Sequence, residues 1–546
     1  MSCKIPREIS DYIKLVRDGK YPTCKEQLLL CAFVERVFKT EDIYVDTEQL
    51  EKYLAYQKYF PYRLFEWEVF CFTLHNCTYR SDGFLRFPDL FIMVGRGAGK
   101  NGYLAFEDFC LLTPCNGVRE YDIDLCANSE DQAKRTFQDI YSVLEINADK
   151  MKRFFYWTLT EIKNLKTNST LRFRTANAKT KDGGRPGKVD FDEEHQYENY
   201  DSIDVFTTGL GKKKFPRTTK VTTNGKVREG PLDDDLALSE QILNGEMDDN
   251  GFLPFICRLD SEEEVDNPQN WHKANPSLRY FPELQREMEK EYARYKIDPV
   301  NNSSFMIKRM NIAKGNADTE VTSWENIKAA SAPFIDLTGK PCVGGIDYAS
   351  TQDFVCAGLL FKVDSIYYWM SHTWVCAQSK DLPRIKPPLK KWQEQGFLTF
   401  VNAPEIPPDV PAEWLSNQSK IYNLRRIAID KYRFTLLSKA LKDVGFDTDK
   451  GGANNIKLVR KSDQMLVSPV ISSAFAGHRI VWGDNPLMRW YTNNTCVVAT
   501  NDGNIRYEKI EPKSRKTDGF MALVAAMALE SEIPQFSELR FLPPIM

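Results

Sequence analysis

The sequence predicts an α/β protein built from two successive domains. The first observation is that short apolar segments alternate with helical segments from Leu90 to Thr223, which is typical of a mainly parallel sheet covered by helices. The second is a new strand-rich block that begins near Cys342 and continues to the C-terminus. The third is the polar, irregular stretch Asn311–Lys340 between them, which is typical of a linker.

These observations divide the chain into a helical extension (1–60), a first domain (61–310), a linker (311–340) and a second domain (341–546). Apolar residues recur at helical spacing in Cys24–Lys39 and Thr47–Tyr59 of the extension, and a charged helix is expected over Pro282–Tyr295. The strands expected in the first domain are Leu90–Val94, Asp122–Ala127, Leu171–Thr175, Val189–Phe191 and Thr219–Thr223.

The composition excludes several classes of protein. The 546 residues include 73 Lys and Arg against 76 Asp and Glu, and the net charge of −3 argues against a nucleic-acid partner only if the basic residues are evenly spread. Thirteen scattered cysteines without a CxxC pair, and five histidines, favour a reduced cytosolic protein over a disulfide scaffold or a zinc protein. No apolar run approaches the roughly 20 residues of a membrane span, and the N-terminal residues lack a signal-peptide pattern.

A glycine-rich segment of the first domain predicts a phosphate-binding loop. In FIMVGRGAGKN, Phe91–Asn101, an apolar strand runs into a glycine-rich turn and then a helix. Backbone N–H groups of such a turn surround phosphate oxygens, and Lys100 can reach the β and γ phosphates. Val94 replaces the usual first glycine, and Asn101 replaces the Ser or Thr that normally binds Mg²⁺, although its amide can bind the ion directly or through water. The expected nucleotide-binding residues are Gly95, Arg96, Gly97, Gly99, Lys100 and Asn101.

A second motif favours ATP binding over the alternative, a glycine-rich turn without special function. In GKVDFDEEHQY, Gly187–Tyr197, a predicted strand ends at Asp192 and Glu193. A P-loop ATPase needs an Asp here to hold Mg²⁺ and a Glu beside it to polarise the attacking water. We therefore predict that Asp192 binds Mg²⁺ and that Glu193, in preference to Glu194, is the catalytic base. The pattern leaves open whether His195 senses the γ-phosphate or only packs.

Three small polar residues, Thr222, Thr223 and Asn224, end a further predicted strand. Hydroxyl and amide side chains at this position can hydrogen-bond to the nucleotide and to neighbouring loops, so we predict that they couple hydrolysis to the rest of the protein. TTNG is also a good turn sequence, and the pattern alone does not decide between the two roles.

Three aspartates of the second domain predict a metal-dependent nuclease. Predicted strands end at Asp347, in CVGGIDYASTQDF, and at Asp430, in RRIAIDKYRF, and a helix opens at Asp518 in KTDGFMALVAAMALE. Carboxylates so placed can meet at one sheet edge, where divalent cations neutralise them. Two Mg²⁺ or Mn²⁺ ions ~3.5–4 Å apart would activate water and stabilise the leaving oxygen of a phosphodiester. Asp353 is a candidate fourth ligand, and for each residue alone the alternative is a solvated strand end or a helix N-cap.

Together these motifs resemble those of the large terminase subunit of tailed double-stranded DNA bacteriophages, and the resemblance covers most of the chain, roughly Pro61–Leu529. GRGAGKN is similar to the family's variant Walker A loop, KDGGRPGKVDFDEEHQY to its Walker B segment and TTNG to its coupling motif. WHKANPSL (Trp271–Leu278) and FMIKRMN (Phe305–Asn311) resemble landmarks between the two halves. GGIDYASTQDF, IAIDKYRF and KTDGFMAL resemble the three acidic nuclease motifs, and NPLMRWYTNN (Asn485–Asn494) resembles the segment before the third.

The resemblance implies an ASCE-type P-loop ATPase domain followed by an RNase H-like nuclease domain. It implies a motor that uses ATP hydrolysis to move viral DNA into a procapsid, and a nuclease with two Mg²⁺ or Mn²⁺ ions that cuts concatemeric DNA. By match to the family's motifs, the residues of ATP hydrolysis are Lys100, Asp192 and Glu193, and the ligands of the cleavage metals are Asp347, Asp430 and Asp518.

The resemblance also implies partners: double-stranded DNA, a portal protein and a small terminase subunit, with a homo-oligomeric ring assembled on the procapsid in the host cytoplasm and no membrane. The extension 1–60 carries no family motif and would be a helical lid or a contact for the small subunit. Arg96 either stabilises transferred phosphate charge or pairs with Glu193 or Glu194. Glu68 stands near the place where related ATPases often have an adenine-reading Gln.

Clusters of basic residues are the candidates for DNA contact. Thr207–Arg228 contains seven basic residues and no acidic ones, and a second group lies just before Asp518. A translocating motor needs sequence-independent phosphate contacts, to which lysine is suited, although a charge run can also be only a solvated face. The expected DNA-binding residues are Lys212, Lys213, Lys214, Lys513, Arg515 and Lys516.

The leading hypothesis is therefore an ATP-driven DNA-packaging motor with an attached endonuclease. One alternative is an ATP-dependent DNA translocase or helicase whose C-terminal domain binds DNA without cutting it. Another is a non-catalytic structural subunit of a viral assembly in which the acidic residues are incidental. Separate losses of ATPase and nuclease activity on substitution of Lys100 and of Asp430 or Asp518 would distinguish the first hypothesis from both.

Overall fold

The computed structural model describes residues 5–175, 184–197, 200–225, 227, 230–299, 302–313, 320–349, 354–385, 387–499, 505–510 and 515–534. The chain divides into two compact units, Met1–Lys314 and Gly315–Met546. Each unit has its own central sheet and its own buried core. No helix in these ranges is long and apolar enough to cross a membrane.

The first unit combines helices with a large central sheet. Its helices are α1 (Arg7–Arg17), α2 (Lys25–Thr40), α3 (Thr47–Leu54), α4 (Glu66–Cys77), α5 (Lys100–Leu112), α6 (Glu130–Ile146), α7 (Ala148–Met151), α8 (Asp201–Thr207), α9 (Pro231–Asn244), α10 (Trp271–Ala274) and α11 (Pro282–Ile297). Its strands are β1 (Ile43–Val45), β2 (Thr78–Arg80), β3 (Asp89–Met93), β4 (Ile123–Ala127), β5 (Phe155–Trp157), β6 (Ile162–Asn164), β7 (Thr170–Thr175), β8 (Lys188–Asp192), β9 (Arg217–Thr222) and β10 (Phe252–Ile256).

Eight of these strands form one sheet in the order β10-β3-β9-β8-β4-β7-β6-β5. The strands from β10 to β7 are parallel, whereas β6 and β5 extend one edge in antiparallel fashion. Only β9 separates β3, which precedes the glycine-rich loop, from β8, which ends at Asp192. Because the carboxyl ends of parallel strands meet at one edge, the loop, Asp192 and the end of β9 are neighbours. The predicted parallel α/β fold is confirmed.

The N-terminal helices share the core of the first unit. Helix α1 packs on α4, and α2 packs on α9 and β10. Leu30 and Val34 of α2 are fully buried. The side-chain amide of Gln27 donates a 2.7 Å hydrogen bond to the carbonyl oxygen of Ile256 and accepts a 2.7 Å bond from the hydroxyl of Tyr12. The helical extension is therefore continuous with the packing of the sheet.

The second unit has a mixed sheet. Its helices are α12 (Trp324–Ala329), α13 (Leu389–Glu394), α14 (Asp409–Ser419), α15 (Phe434–Asp443), α16 (Lys461–Ala476), α17 (Pro486–Asn493) and α18 (Asp518–Met527). Its strands are β11 (Pro341–Asp347), β12 (Val355–Val363), β13 (Ile366–Cys376), β14 (Leu398–Val401), β15 (Asn423–Asp430), β16 (Ile456–Val459), β17 (Ile480–Val481), β18 (Thr495–Ala499) and β19 (Ile505–Lys509).

The main sheet of this unit has the order β14-β13-β12-β11-β15-β16, with β17 paired to β13. Central β11 is antiparallel to β12 and parallel to β15, which is in turn parallel to β16. Alternate strand residues face two separate cores: Val343 and Ala428 pack with α16, α17 and α18, whereas Ile346 and Ile429 pack with α14 and α15. A central strand with helices on both faces is the predicted RNase H-like architecture, which is confirmed.

The stretch predicted as linker contains a helix of the second unit. The hydroxyl of Ser323 accepts the backbone N–H of Asn326 and so caps α12. Ile327 of this helix is buried in the core of the second unit. A six-residue helix is too short to show a hydrophobic period, which is why the sequence pattern did not reveal it.

Candidate active sites

The glycine-rich loop joins the end of β3 to the start of α5. Gly97 and Gly99 have φ angles of 93° and 108°, which only glycine adopts readily, so the turn requires both. Lys100 opens α5; its side chain is buried and its Nζ donates a 3.3 Å hydrogen bond to the carbonyl oxygen of Val94. Burial lowers the pKa of Lys100. Asn101 is half-buried in the same helical turn. A curled loop with a lysine behind it can bind the β and γ phosphates of a nucleotide.

Segments far along the chain support the outer side of this loop. The N–H of Gly95 donates a 2.7 Å hydrogen bond to the carbonyl oxygen of Ala274, which belongs to WHKANPSL. The N–H of Arg96 donates a 2.7 Å bond to the carbonyl oxygen of Lys308. The guanidinium of Arg309 in turn donates a 2.7 Å bond to the carbonyl oxygen of Arg96. WHKANPSL and FMIKRMN therefore act here as supports of the loop, and the side chain of Arg96 remains exposed.

The acidic pair lies at the end of β8. Burial, reinforced by the charge of Glu193, raises the pKa of Asp192 to about 7. Glu193 has a left-handed backbone, with φ 54° and ψ 52°, which a residue with a side chain adopts only where its surroundings impose it. Burial alone would raise the pKa of Glu193, but the hydrogen bond with His195 and the charge of Lys100 outweigh it and lower this pKa to about 2. Glu193 is therefore ionised at neutral pH.

Glu194 belongs to a different, buried cluster. Its Oε1 lies 3.0 Å from Nζ of Lys220, which also donates a 2.5 Å hydrogen bond to Asp235. Burial, together with the charge of Asp235, raises the pKa of Glu194 to about 8. Lys220, one of the seven basic residues of Thr207–Arg228, therefore contacts acidic residues inside the protein.

Thr222 and Asn224, two of the residues predicted to couple hydrolysis to the rest of the protein, connect the acidic pair at the end of β8 to a segment that supports the glycine-rich loop. The hydroxyl oxygen of Thr222 accepts the N–H of His195 at 3.0 Å, and Nδ1 of His195 lies 3.0 Å from Glu193. The backbone N–H of Asn224 donates to the side chain of Asn311, and the side-chain amide of Asn224 donates to the Asn311 carbonyl oxygen, both at 3.0 Å. Asn311 ends FMIKRMN. Thr223, between them, is buried.

An aromatic cleft of about 670 Å³ opens beside the first turns of α5. The rings of Phe65 and Tyr280 in its lining stack with centroids 4.6 Å apart. The hydroxyl of Tyr62 donates a 2.9 Å hydrogen bond to the carbonyl oxygen of Gly102 in α5. Glu68 is buried and caps α4 by accepting the N–H of Phe65 at 2.8 Å, and burial raises its pKa to about 8. The aromatic run 61–70 signals this cleft in the sequence, but the distant Tyr280 does not.

A buried acidic cluster also lies within the first unit. Ligand atoms of Glu107, Asp108 and Asp190 lie within 4.8 Å of one another, and they form the only such trio among the residues that the structure describes. Nζ of Lys188 lies 2.7, 2.6 and 2.7 Å from a carboxylate oxygen of each in turn. The ammonium group of Lys188 already occupies the position that a metal ion would take, so the arrangement is an internal ion-pair cluster rather than a metal site.

Asp347 and Asp430 end neighbouring strands of the second unit. Because β11 and β15 are parallel with Ile346 opposite Ile429, the two aspartates follow at adjoining positions on one sheet edge. Both are partly exposed. The N–H of Tyr432 donates a 2.7 Å hydrogen bond to Oδ1 of Asp430. The position of each aspartate at a strand end agrees with the sequence pattern.

Asp518 comes to the same region because α18 lies directly against β11. A Cβ on Gly345 would lie 2.1 Å from the carbonyl oxygen of Ala522, so glycine is needed for this close approach. Burial raises the pKa of Cys356 to about 12, and the charges of Asp518 and Asp347 contribute to that rise. Cys356, which is opposite Asp347 in the β11–β12 pair, therefore lies near both carboxylates.

The three nuclease candidates do not form a tight trio, since their ligand atoms are not all within 4.8 Å of one another. Carboxylates without a cation between them repel one another, which favours this separation. Three carboxylates at one sheet edge nevertheless make the hard oxygen donor set that suits Mg²⁺ or Mn²⁺. Asp353, the candidate fourth ligand, lies outside the described residues.

The segment before the third aspartate holds it in place. NPLMRWYTNN forms α17, and the side-chain amide of Asn494 donates a 3.0 Å hydrogen bond to the carbonyl oxygen of Lys516. A Cβ on Gly519 would lie 2.3 Å from the ring of Tyr491, so this glycine lets the start of α18 rest on that ring. The sequence similarity singled out this segment, and the structure supplies its mechanical role.

The predicted DNA-binding residues differ in exposure. Lys212 and Lys214 are exposed in the loop between α8 and β9, and Lys213 lies there partly buried, 3.3 Å from Glu120. In the same run Arg217 is buried and serves the packing of the first unit.

The group before Asp518 departs from its expected exposure. Arg515 is half-buried, but Lys516 is fully buried with its Nζ 3.7 Å from a carboxylate oxygen of Asp381. Lys516 thus differs from the exposed phosphate-binding lysine that was expected, because a carboxylate draws it inward. Lys513 lies outside the described residues.

Two family models match the chain. The model described as "Terminase large subunit, ATPase domain" matches residues 66–241, and the one described as "Terminase large subunit, endonuclease domain" matches residues 246–532. Protein YmfN of Escherichia coli (strain K12) is 25% identical over 368 residues, which cover 63% of this chain and 78% of that protein.

Solved structures of phage terminases are also similar to the chain. The HK97 bacteriophage large terminase is 16% identical, with a TM-score of 0.48, over 89% of this chain and 100% of that one. A large terminase from a thermophilic bacteriophage, solved in complex with ATP-gamma-S, is 9% identical over 88% of this chain and 98% of that one, with a TM-score of 0.27. The magnesium-bound large terminase nuclease of phage G20c is 11% identical over 38% and 97%, with a TM-score of 0.24.

Proposed function

This chain belongs to the terminase large-subunit family, and we propose which of its residues perform each of the family's two activities. It is a viral DNA-packaging motor with an attached endonuclease: ATP hydrolysis drives DNA into the procapsid, and the nuclease cuts concatemeric DNA. The observation that carries the residue assignment is the meeting of the glycine-rich loop, the acidic pair and the end of β9 at one edge of the sheet.

In the ATPase site, Mg²⁺ bound with ATP would neutralise the negative charge of the phosphates. The backbone of Gly97 and Gly99 surrounds the phosphates, Gly95 holds the loop against Ala274, and Lys100 binds the β and γ oxygens. Arg96, whose side chain is exposed beside the loop, stabilises charge on the transferred phosphoryl group. These assignments are supported by the left-handed glycines and by the buried lysine behind them.

Asp192 and Asn101 hold the Mg²⁺ of this site, and Glu193 takes the proton from the attacking water. Support for Glu193 comes from its low pKa and from His195, which holds its carboxylate at 3.0 Å. Through Thr222, the same His195 links the base to β9, so Thr222, Thr223 and Asn224 relay the state of the nucleotide.

The base of the nucleotide lies in the aromatic cleft. Its stacked rings of Phe65 and Tyr280 form an apolar, planar wall beside the first turns of α5, and planar rings favour a stacked purine. Glu68, which stands near the position of the adenine-reading Gln, caps α4 here and supports Phe65 instead of reading the base.

In the nuclease, Asp347, Asp430 and Asp518 hold divalent cations, which we take to be two Mg²⁺ or Mn²⁺ ions. Such ions supply an activated water and stabilise the leaving oxygen of a phosphodiester. The chain's own contribution is position: β11 and β15 set two carboxylates side by side, and Gly345 lets α18 bring the third.

DNA and two proteins are the partners of the motor. Lys212, Lys213 and Lys214 contact the DNA phosphates during translocation, and Lys513 and Arg515, which precede Asp518 in the sequence, contact DNA phosphates at the nuclease. A portal protein and a small terminase subunit are the protein partners, and the motor works as a homo-oligomeric ring at the portal in the host cytoplasm. The exposure of Lys212 and Lys214 supports the first of these contacts.

Two substitutions test the division into separate sites. We expect Lys100→Ala to lower ATP hydrolysis by at least about 100-fold, because the charge on the β and γ phosphates loses its preorganised partner, and to leave Mn²⁺-dependent plasmid cleavage intact. Asp430→Ala is expected to do the reverse. Both rates are measured on the same preparations of full-length protein. Loss of both activities in either variant, with the protein still folded, would contradict the assignment.

A further inference from the structure

Immediately beyond Asp430 the chain turns sharply and exposes three consecutive side chains. The N–H of Tyr432 donates to Oδ1 of Asp430 at 2.7 Å, and the N–H of Arg433 donates to the Asp430 carbonyl oxygen at 3.1 Å. Lys431, Tyr432 and Arg433 are all exposed, and Tyr432 is 80% exposed. The nuclease aspartate itself therefore anchors a turn that presents two cations and one aromatic ring.

The next strand adds two more cations at the same edge. Strand β16 is parallel to β15 with Val459 opposite Asp430, and the N–H of Lys431 donates to the Val459 carbonyl oxygen at 3.0 Å. Arg460 follows Val459 directly, Lys461 opens α16, and both are exposed. Since paired strands lie roughly 4.8 Å apart, the backbones at Lys431 and Arg460 are near neighbours.

None of these four cations forms an ion pair with a residue that the structure describes. The acidic residue of the first turn of α16, Asp463, is engaged otherwise: its Oδ2 accepts the N–H of Arg460 at 2.8 Å, and its Oδ1 lies 3.8 Å from Lys457. Four cations at one sheet edge repel one another unless a polyanion neutralises them. The chemistry of the edge therefore matches a sugar–phosphate backbone.

We propose that Lys431, Arg433, Arg460 and Lys461 form a rim that holds the DNA backbone on the β16 side of the nuclease site. The four cations contact phosphates, and Tyr432 packs against the deoxyribose next to the scissile phosphate. The inference rests on the nuclease function proposed above and adds to it the path of the substrate, which crosses Asp430 towards the start of α16. Phosphate contacts carry no sequence information, so the rim positions the DNA and does not select a sequence.

Cleavage kinetics of the full-length protein test this rim. We expect Arg460→Ala/Lys461→Ala to raise the KM for DNA in Mn²⁺-dependent cleavage about tenfold and to leave kcat within about twofold, because these residues hold the substrate without touching the reacting atoms. Removing two phosphate contacts should also make the plot of log(kcat/KM) against log salt concentration shallower by about two. Tyr432→Ala should raise KM and Tyr432→Phe should not, because packing needs only the ring.

Lys420→Ala/Arg425→Ala is the matched control. It removes the same charge from exposed positions near the opposite end of β15, and its KM and salt slope should equal those of the wild type. A thermal unfolding profile of the second unit equal to that of the wild type shows that each variant is folded, since ATP hydrolysis reports only on the first unit. A wild-type KM and salt slope in Arg460→Ala/Lys461→Ala would overturn the rim. Absence of cleavage by the wild type would instead contradict the nuclease assignment, and the salt dependence of DNA binding in the same variants would then decide on the rim.

Discussion

Glu193 and Glu194 illustrate how adjacent residues of one type receive different roles. The left-handed backbone of Glu193 turns the two side chains apart at the end of β8. Glu193 keeps 18% of its side chain exposed and is held by His195, whereas Glu194 is enclosed with Lys220. A base must be ionised and reachable by water, and only Glu193 meets both conditions.

Glu193→Gln should therefore abolish chemistry and preserve binding. Because the amide cannot take a proton, we expect the kcat for ATP hydrolysis to fall by roughly 10²–10⁴-fold while the Kd for ATP changes by less than about twofold. Steady-state kinetics and nucleotide-binding titrations measure the two quantities.

Glu194→Gln is the matched control for this substitution. It should retain hydrolysis within a few-fold and change Tm little, because the Glu194 carboxyl, whose pKa burial raises to about 8, is mostly protonated at pH 7 and the neutral amide of Gln can replace it beside Lys220. Full hydrolysis by Glu193→Gln would show that the base lies elsewhere.

For single residues, the sequence pattern predicts positions at strand ends but not burial by partners that are distant in the chain. The strand-end positions of Asp192, Asp347 and Asp430 follow from apolar segments that stop at a carboxylate, and the structure has them at those ends. The burial of Lys516 could not be predicted, because its partner Asp381 is distant in the sequence. The same holds for Lys188, two of whose carboxylate partners, Glu107 and Asp108, are 81 and 80 residues away in the sequence.

Among the elements, the contact between α18 and β11 decides whether the nuclease site exists. Gly345, the second glycine of CVGGID, lies where the helix crosses the strand and meets the backbone of Ala522, whereas Gly344 faces Ile427 and Leu415 on the other side of the sheet. The sequence shows the glycines but not their purpose, since the helix is distant in the chain. Likewise, WHKANPSL and FMIKRMN were visible as motifs, but their support of the phosphate-binding loop needed the fold.

Gly345→Ala should disturb the nuclease selectively. The added Cβ would lie 2.1 Å from the Ala522 carbonyl oxygen, so α18 must shift and carry Asp518 with it. We expect Mn²⁺-dependent cleavage to fall at least tenfold, the free energy of unfolding of this unit to drop by about 1–3 kcal/mol, and ATP hydrolysis to be retained. Plasmid cleavage and thermal unfolding measure these effects.

Gly451→Ala provides the comparison, because nothing lies within 4 Å of a Cβ at that position. Cleavage by Gly451→Ala should equal that of the wild type. If Gly345→Ala also cleaved normally, the close approach of helix and strand would not be what positions Asp518.

For the whole molecule, the net charge of −3 is a poor guide to its partner. Several of its carboxylates belong to the proposed ATPase and nuclease sites, and exposed cations are concentrated at Lys212, at Lys214 and along the rim beside Asp430. A nearly neutral chain can therefore bind DNA, because local charge rather than total charge sets the contact. The two-domain α/β organisation was predictable because long alternating patterns report it, whereas the short helix α12 in the predicted linker left no such pattern.

Anomalous diffraction from crystals of the full-length protein soaked in Mn²⁺ decides whether the chain carries a metal-dependent nuclease site separate from its nucleotide site. We expect Mn²⁺ peaks coordinated by Asp347, Asp430 and Asp518, with none at the cluster that Lys188 fills. Crystals that bind Mn²⁺ elsewhere, or that leave these three aspartates without metal at millimolar Mn²⁺, would contradict this expectation.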